Sequence, residues 1–148
     1  MESSQATSPS RVFADSSVLF SASVSASGYA RDLVKASSGK RVELWLSPFV
    51  VLETRRNLTI KAPLAIPFFE LFLDSGIPRI AEPTAALIRR VAELVVLKDA
   101  PIIGGAIAAE ARVVASYDRK HLLSQANSIR YHFDIVVATP EEILAHGG

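Results

Sequence analysis

Four acidic residues stand where strands end, where helices begin, or on the apolar side of a helix: Asp15, Glu53, Asp99 and Asp118. Asp15 directly follows the short apolar run Val12-Phe-Ala14, and Asp118 follows Val113-Val-Ala-Ser116 with one residue between. If both runs are neighbouring parallel strands, the two carboxylates share the crevice beyond the strands' carboxyl ends, where open α/β sheets gather their chemistry. Each is equally a residue type that caps helices and makes turns. Glu53 follows Phe49 and Val50 at helical spacing and shares their side of the helix. A carboxylate there is costly unless it pairs, binds a metal or reaches solvent; the candidate partners are Arg55, Arg56 and Lys61. Asp99 precedes Ala100-Pro101 and reads as an N-cap. Pro101 removes one usual partner, which leaves the Ile102 N–H for one carboxylate oxygen and the other oxygen free.

The elements that must position these acids follow from short apolar runs alternating with helical segments. Strands are expected at Arg11–Ala14, Val42–Leu46, Pro78–Ile80, Val113–Ser116 and Ile135–Ala138. They are continuous apolar runs rather than alternating ones, the pattern of a parallel sheet covered on both faces. Helices are expected over Val18–Lys35, interrupted or divided at Gly28, and from Pro48 to Ile60, with Ser47 as N-cap and Pro48 at the first helical position. Further helical stretches are expected at Phe68–Leu73, from Pro83 or Thr84 to Val96, Ala100–Ala111, Arg119–Ala126 and Pro140–Ala145. Residues 1–10 read as a flexible polar tail and 11–148 as one domain, which suits a chain of 148 residues.

Composition removes several classes of function. With 49% hydrophobic residues the chain is not disordered as a whole, and with no cysteine it has no disulfide, thiolate zinc site or cysteine nucleophile. That is compatible with a reducing cytoplasm. A net charge of +1 gives no electrostatic signature of nucleic-acid binding by itself, so any such contact must come from local clusters. The N-terminal ten residues lack the basic start and apolar stretch of a signal peptide. The uncharged run from Ala100 to Ala109 falls short of the roughly 18 residues a membrane span needs. Phosphate-loop and dinucleotide fingerprints are absent, and Gly104-Gly105 inside a helix reads as close packing. A haloacid-type phosphatase would want Asp where Ser17 stands, and a receiver would want adjacent acids near the first strand.

Taken in order, the motifs resemble the PIN-domain family, especially the toxins of toxin–antitoxin modules. Val12-Phe-Ala-Asp15-Ser-Ser-Val-Leu resembles the opening strand with the first acid, and Ser47-Pro-Phe-Val-Val-Leu-Glu53 with Asn57-Leu58 the helix of the second. Lys98-Asp99-Ala-Pro-Ile-Ile-Gly-Gly-Ala-Ile107 resembles the third-acid segment. Val113-Val-Ala-Ser116-Tyr-Asp118-Arg-Lys-His-Leu-Leu123 resembles the fourth, and Val136-Val-Ala-Thr-Pro-Glu-Glu-Ile-Leu144 the closing strand and helix. The resemblance implies a three-layer α/β/α sandwich around a five-stranded parallel sheet of order 3-2-1-4-5, with Asp15 and Asp118 at its switch point. It also implies a ribonuclease that leaves 5′-phosphate and 3′-hydroxyl ends, an RNA substrate and a cognate antitoxin.

Mg²⁺ or Mn²⁺ is the expected cofactor, since hard cations take oxygen ligands. Two carboxylates ~4 Å apart repel by roughly 4 kcal/mol at an effective dielectric of 20, so four cannot gather fully ionised without a cation. Asp15, Asp99 and Asp118 are the expected direct ligands and Glu53 the one that reaches the ion through water. Ser16 and Ser116 would support these groups. Arg55, Arg56, Arg119 and Lys120 are candidate RNA contacts, each with solvated helix charge as its alternative. His121 reads as a surface histidine, and His132 and His146 carry no signal. Phe68, Phe69, Leu71, Phe72 and Leu73 crowd one helical piece, which points to core packing or to a homodimer or antitoxin surface. A PIN fold without activity, working through protein or RNA contacts, is the alternative to a nuclease.

Overall fold

The computed structural model describes residues 9–146. Residues 1–8 of the expected tail lie outside the described residues, and the first strand already begins at Ser10. Five strands form one parallel sheet: β1 (Ser10–Ala14), β2 (Val42–Leu46), β3 (Arg79–Ile80), β4 (Val113–Ala115) and β5 (Val136–Ala138), in the order β3-β2-β1-β4-β5. The chain therefore runs outward one way through β2 and β3 and returns to the other side of β1 for β4 and β5. β1 and β4 are paired with Ala14 beside Ala115, so the residues that follow them leave the sheet side by side.

Both faces of the central strands are covered, as their uninterrupted apolar sequence requires. Val12, Phe13 and Ala14 are all buried although successive side chains point to opposite faces. Two helices, α1 (Ser16–Val24) and α2 (Tyr29–Ser38), follow β1. Gly28 divides them because the junction needs φ +110°, which only glycine adopts without strain. The helix α3 (Pro48–Lys61) begins as expected, with Ser47 Oγ accepting the Val50 N–H at 3.3 Å and proline in the first turn. A 3₁₀ turn at Pro63–Ala65 leads into α4 (Ile66–Asp74).

On the far side lie α5 (Ala85–Val91) and α6 (Ala100–Ala108), joined through a 3₁₀ turn at Leu97–Asp99. Gly105 is the point of closest approach: a Cβ there would lie 2.5 Å from Cζ of the fully buried Phe13 ring. Glycine thus lets α6 sit directly on β1. The chain closes with α7 (Ala126–Phe133) and α8 (Pro140–Ala145), the latter held by a reciprocal cap between Thr139 and Glu142.

Two helical expectations are corrected. The segment from Arg119 to Leu122 is a turn closed by the Asp118 carbonyl, which accepts the Leu123 N–H, and the helix starts only at Ala126. Its single fully buried residue, Ile129, leaves little apolar periodicity to announce it. The segment after Thr84 is helical only to Val91, then unwinds into turns before Leu97.

Candidate active site

Asp15 leaves the end of β1 as the N-cap of α1, so the cap reading of this residue holds, but it does more than cap. Its Oδ1 accepts the Ser17 and Val18 N–H groups and the Ser17 hydroxyl, while Oδ2 accepts the Ser116 hydroxyl at 2.5 Å from across the sheet. Ser17 Oγ in turn accepts the Tyr117 N–H at 2.9 Å, and Ser116 Oγ accepts the Asp118 N–H at 2.9 Å. The two serines stitch the carboxyl ends of β1 and β4 together around one carboxylate.

Asp15 is only 4% exposed and has no cationic partner among the described residues. Burial therefore pushes its carboxyl above the ordinary value, against the opposing pull of the Ser116 and Ser17 hydroxyls and the Val18 and Ser17 N–H groups.

The other three acids arrive from different elements. Glu53, half-buried on α3, accepts the Ser16 hydroxyl at 2.6 Å rather than pairing with a neighbouring arginine or lysine. Asp118, also half-buried, accepts the His121 N–H at 3.2 Å within its own turn. Asp99 is 3% exposed and does not cap α6, contrary to the expectation from Ala100-Pro101. Its backbone is already helical, at φ −94° and ψ −10°, so the side chain points away from the helix's first N–H groups. Its Oδ2 accepts Nε2 of Gln125 at 2.9 Å, and no donor among the described residues reaches Oδ1.

All four carboxylates line one cavity of about 580 Å³ beyond the carboxyl ends of β1 and β4, together with Ser16, Ser17, Asn57, Lys98, Phe49 and Ile102. Among the described residues no three acids or histidines stand close enough to enclose a single ion by themselves. The donor set nevertheless suits a hard cation. Every acid in the cavity offers oxygen, Asp99 keeps a buried oxygen without a donor, and Asp15 is buried without a countercharge.

The candidate basic residues lie outside the cavity lining, in keeping with solvated charge. Arg55 forms a two-point fork with Glu70, at 2.6 and 2.8 Å, and does not line the cavity. Arg56, Arg119 and Lys120 are exposed outside its lining. Lys98, beside Asp99, is the cation that does line it. The aromatic-rich α4 is largely absorbed by the core: Phe69 and Phe72 are buried, and Phe68 is covered by the Arg31 guanidinium 3.7 Å from its ring centre. Leu71 remains exposed there.

Sequence reasoning quoted Ser17, Asn57 and Lys98 only inside longer motifs, without a role of their own, and gave Gln125 no part. Asn57 follows Glu53 by one helical turn, a legible signal. Gln125 carries none, because it reaches the site from beyond a turn.

No family model and no curated protein matches the sequence. Among solved structures, the chain is similar to VapC20 of Mycobacterium tuberculosis, a toxin that cleaves the sarcin–ricin loop. That match has a TM-score of 0.59 and 15% identity, over 76% of this chain and 94% of that one. It is also similar to PAE2754 of Pyrobaculum aerophilum, with a TM-score of 0.61 and 16% identity over 93% of this chain and 88% of that one. The fold is PIN-like. The expected sheet order and the placement of Asp15 and Asp118 beside the PIN-like switch point are therefore both present. Among the described residues no helix is long and apolar enough to cross a membrane.

Proposed function

We propose that this chain is a Mg²⁺- or Mn²⁺-dependent endoribonuclease and the toxin of a toxin–antitoxin pair, acting in the cytoplasm. One observation carries the reading: four carboxylates from α1's cap, α3, the start of α6 and the turn after β4 line a single cavity at the switch point of a PIN-like sheet. The likeness to a toxin that cleaves an RNA loop supports the choice of substrate and the expectation of a cognate antitoxin.

Asp15, Asp99 and Asp118 would hold the cation, with Asp15 fixed by Ser116 and Ser17 and Asp118 by its own turn. Glu53, aimed by Ser16, orients the attacking water. A bound divalent ion supplies activation of that water and stabilises charge on the leaving oxygen. The cavity of about 580 Å³ that these acids line also has room for water and a substrate phosphate. Water adds to phosphorus, the bond to the 3′ oxygen breaks, and that oxygen takes a proton, leaving 5′-phosphate and 3′-hydroxyl ends. Lys98 at the rim holds the RNA backbone.

The spacing of the acids favours a second reading, a PIN-like module that binds without cutting. Incubation of the purified chain with a structured RNA in Mg²⁺ or Mn²⁺, with and without EDTA, separates the two. Cleavage abolished by EDTA supports the nuclease, and intact RNA in both arms supports the binding module.

A further inference from the structure

Asp99 has no partner on its own helix, so something outside that helix must set where its carboxylate points. That group is Gln125, in the 3₁₀ turn at Leu123–Gln125. Its Nε2 donates to Asp99 Oδ2 at 2.9 Å and to the His121 carbonyl at 3.1 Å, and its Oε1 accepts the Val96 N–H at 3.3 Å. The amide has one satisfactory orientation. Turned over, its oxygen would face a carboxylate and a carbonyl, and its NH₂ would face an N–H.

The contacts also close a route between two acids. The His121 N–H donates to Asp118 Oδ1, the His121 carbonyl accepts from Gln125, and Gln125 donates to Asp99. One residue thus ties the turn that carries Asp118 to the turn that carries Asp99. It does so with a neutral donor, which leaves Asp99's negative charge and its second oxygen available.

We propose that Gln125 is a positioning residue of the metal site: it fixes the Asp99 carboxylate relative to Asp118 and thereby sets the affinity for the divalent ion. This rests on the metal-dependent reading above and assigns a role to a residue that does not itself line the cavity. Partners one step removed from a metal characteristically contribute ten- to a hundredfold in affinity.

The test is Mn²⁺ binding alone, measured from the electron-paramagnetic-resonance signal of the free ion. It would be run on full-length wild type, Gln125→Leu, Asp99→Asn, the double variant and Asp118→Asn. Circular dichroism checks each fold, and Gln125→Met, unbranched and of similar length, replaces the leucine variant if that one does not fold. Gln125→Leu is expected to raise the Mn²⁺ dissociation constant about tenfold or more. In the Asp99→Asn background the same change should add nothing, because Gln125 acts through Asp99. A folded Gln125→Leu within about twofold of wild type overturns the proposal, as does an equal loss in the Asp99→Asn background. If Asp118→Asn loses Mn²⁺ while Gln125→Leu keeps it, the positioning role alone fails. If wild type binds no more Mn²⁺ than Asp118→Asn, the metal-dependent reading fails and takes this role with it.

Discussion

Replacing Gly105 by alanine should displace the helix that carries the third acid. The added Cβ would meet Phe13 Cζ at 2.5 Å and Cε2 at 2.8 Å. Ordinary carbon contacts lie at about 3.5–4.0 Å, so the surfaces must part by about 1 Å. Phe13 cannot swing aside, being fully buried between β1 and α6. A contact this short belongs to the upper part of the overpacking range, about 2–3 kcal/mol, and alanine's better helix propensity returns about 1 kcal/mol. A net loss of about 1–2 kcal/mol corresponds to a melting temperature lower by roughly 3–10 °C. Since α6 begins next to Asp99, the same shift strains the 2.9 Å bond to Gln125, and cleavage should fall by about tenfold or more. Gly104→Ala is the matched control: its Cβ would meet Ile88 and Pro83 no closer than 3.4 Å, so it should be neutral or slightly stabilising. Thermal unfolding followed by circular dichroism reads both. Equal melting temperatures for the two variants would refute the packing argument, and a destabilised Gly105→Ala with unchanged cleavage would refute its link to the site.

Divalent cations should stabilise the fold. With a dissociation constant of ~1 mM, ~10 mM Mg²⁺ contributes about 1.4 kcal/mol, or a melting shift of roughly 3–6 °C; a shift no larger than that from NaCl at matched ionic strength would count against a metal site. The raised Asp15 pKa means the folded state holds this proton more tightly than the unfolded chain. Metal-free stability from this group is therefore lost as pH rises from about 4 through the folded value, and the melting temperature of Asp15→Asn should gain on wild type between about pH 4 and pH 7. A constant difference across that range would contradict it. Lys98→Ala should weaken RNA binding and lower its salt slope by about one unit, whereas Arg55→Ala, whose fork with Glu70 is exposed, should change neither binding nor stability by much. Equal effects of the two on a filter-binding assay would return Arg55 to the RNA surface.

The parallel sheet and the positions of Asp15 and Asp118 beyond its strand ends were legible because both leave marks in the chain itself. Continuous apolar runs announce strands covered on two faces, and an acid at the end of such a run marks a crevice. Ser47-Pro48 announced α3 for the same local reason. What the chain did not announce was set by tertiary contact. Asp99 has the residues of a cap, yet its helical backbone turns its carboxylate to Gln125, a partner from a separate turn. Arg55 sits near Glu53 in sequence but on another side of α3, where Glu70 takes it. The large apolar residues of α4 suggested a dimer surface, and the fold places Phe69 and Phe72 in the core instead. Self-association through the exposed Leu71 remains a proposal for light scattering to decide.

The central claim is that Asp15 and Asp118 act together on RNA through a divalent ion. Its most direct test is single-turnover cleavage of one defined RNA in Mn²⁺ by wild type, Asp15→Asn and Asp118→Asn, purified in parallel and matched by circular dichroism. The account predicts cleavage by wild type and a fall of at least about a hundredfold in each variant, the order expected for loss of a group acting on developing charge. Folded variants that cut at the wild-type rate would contradict it.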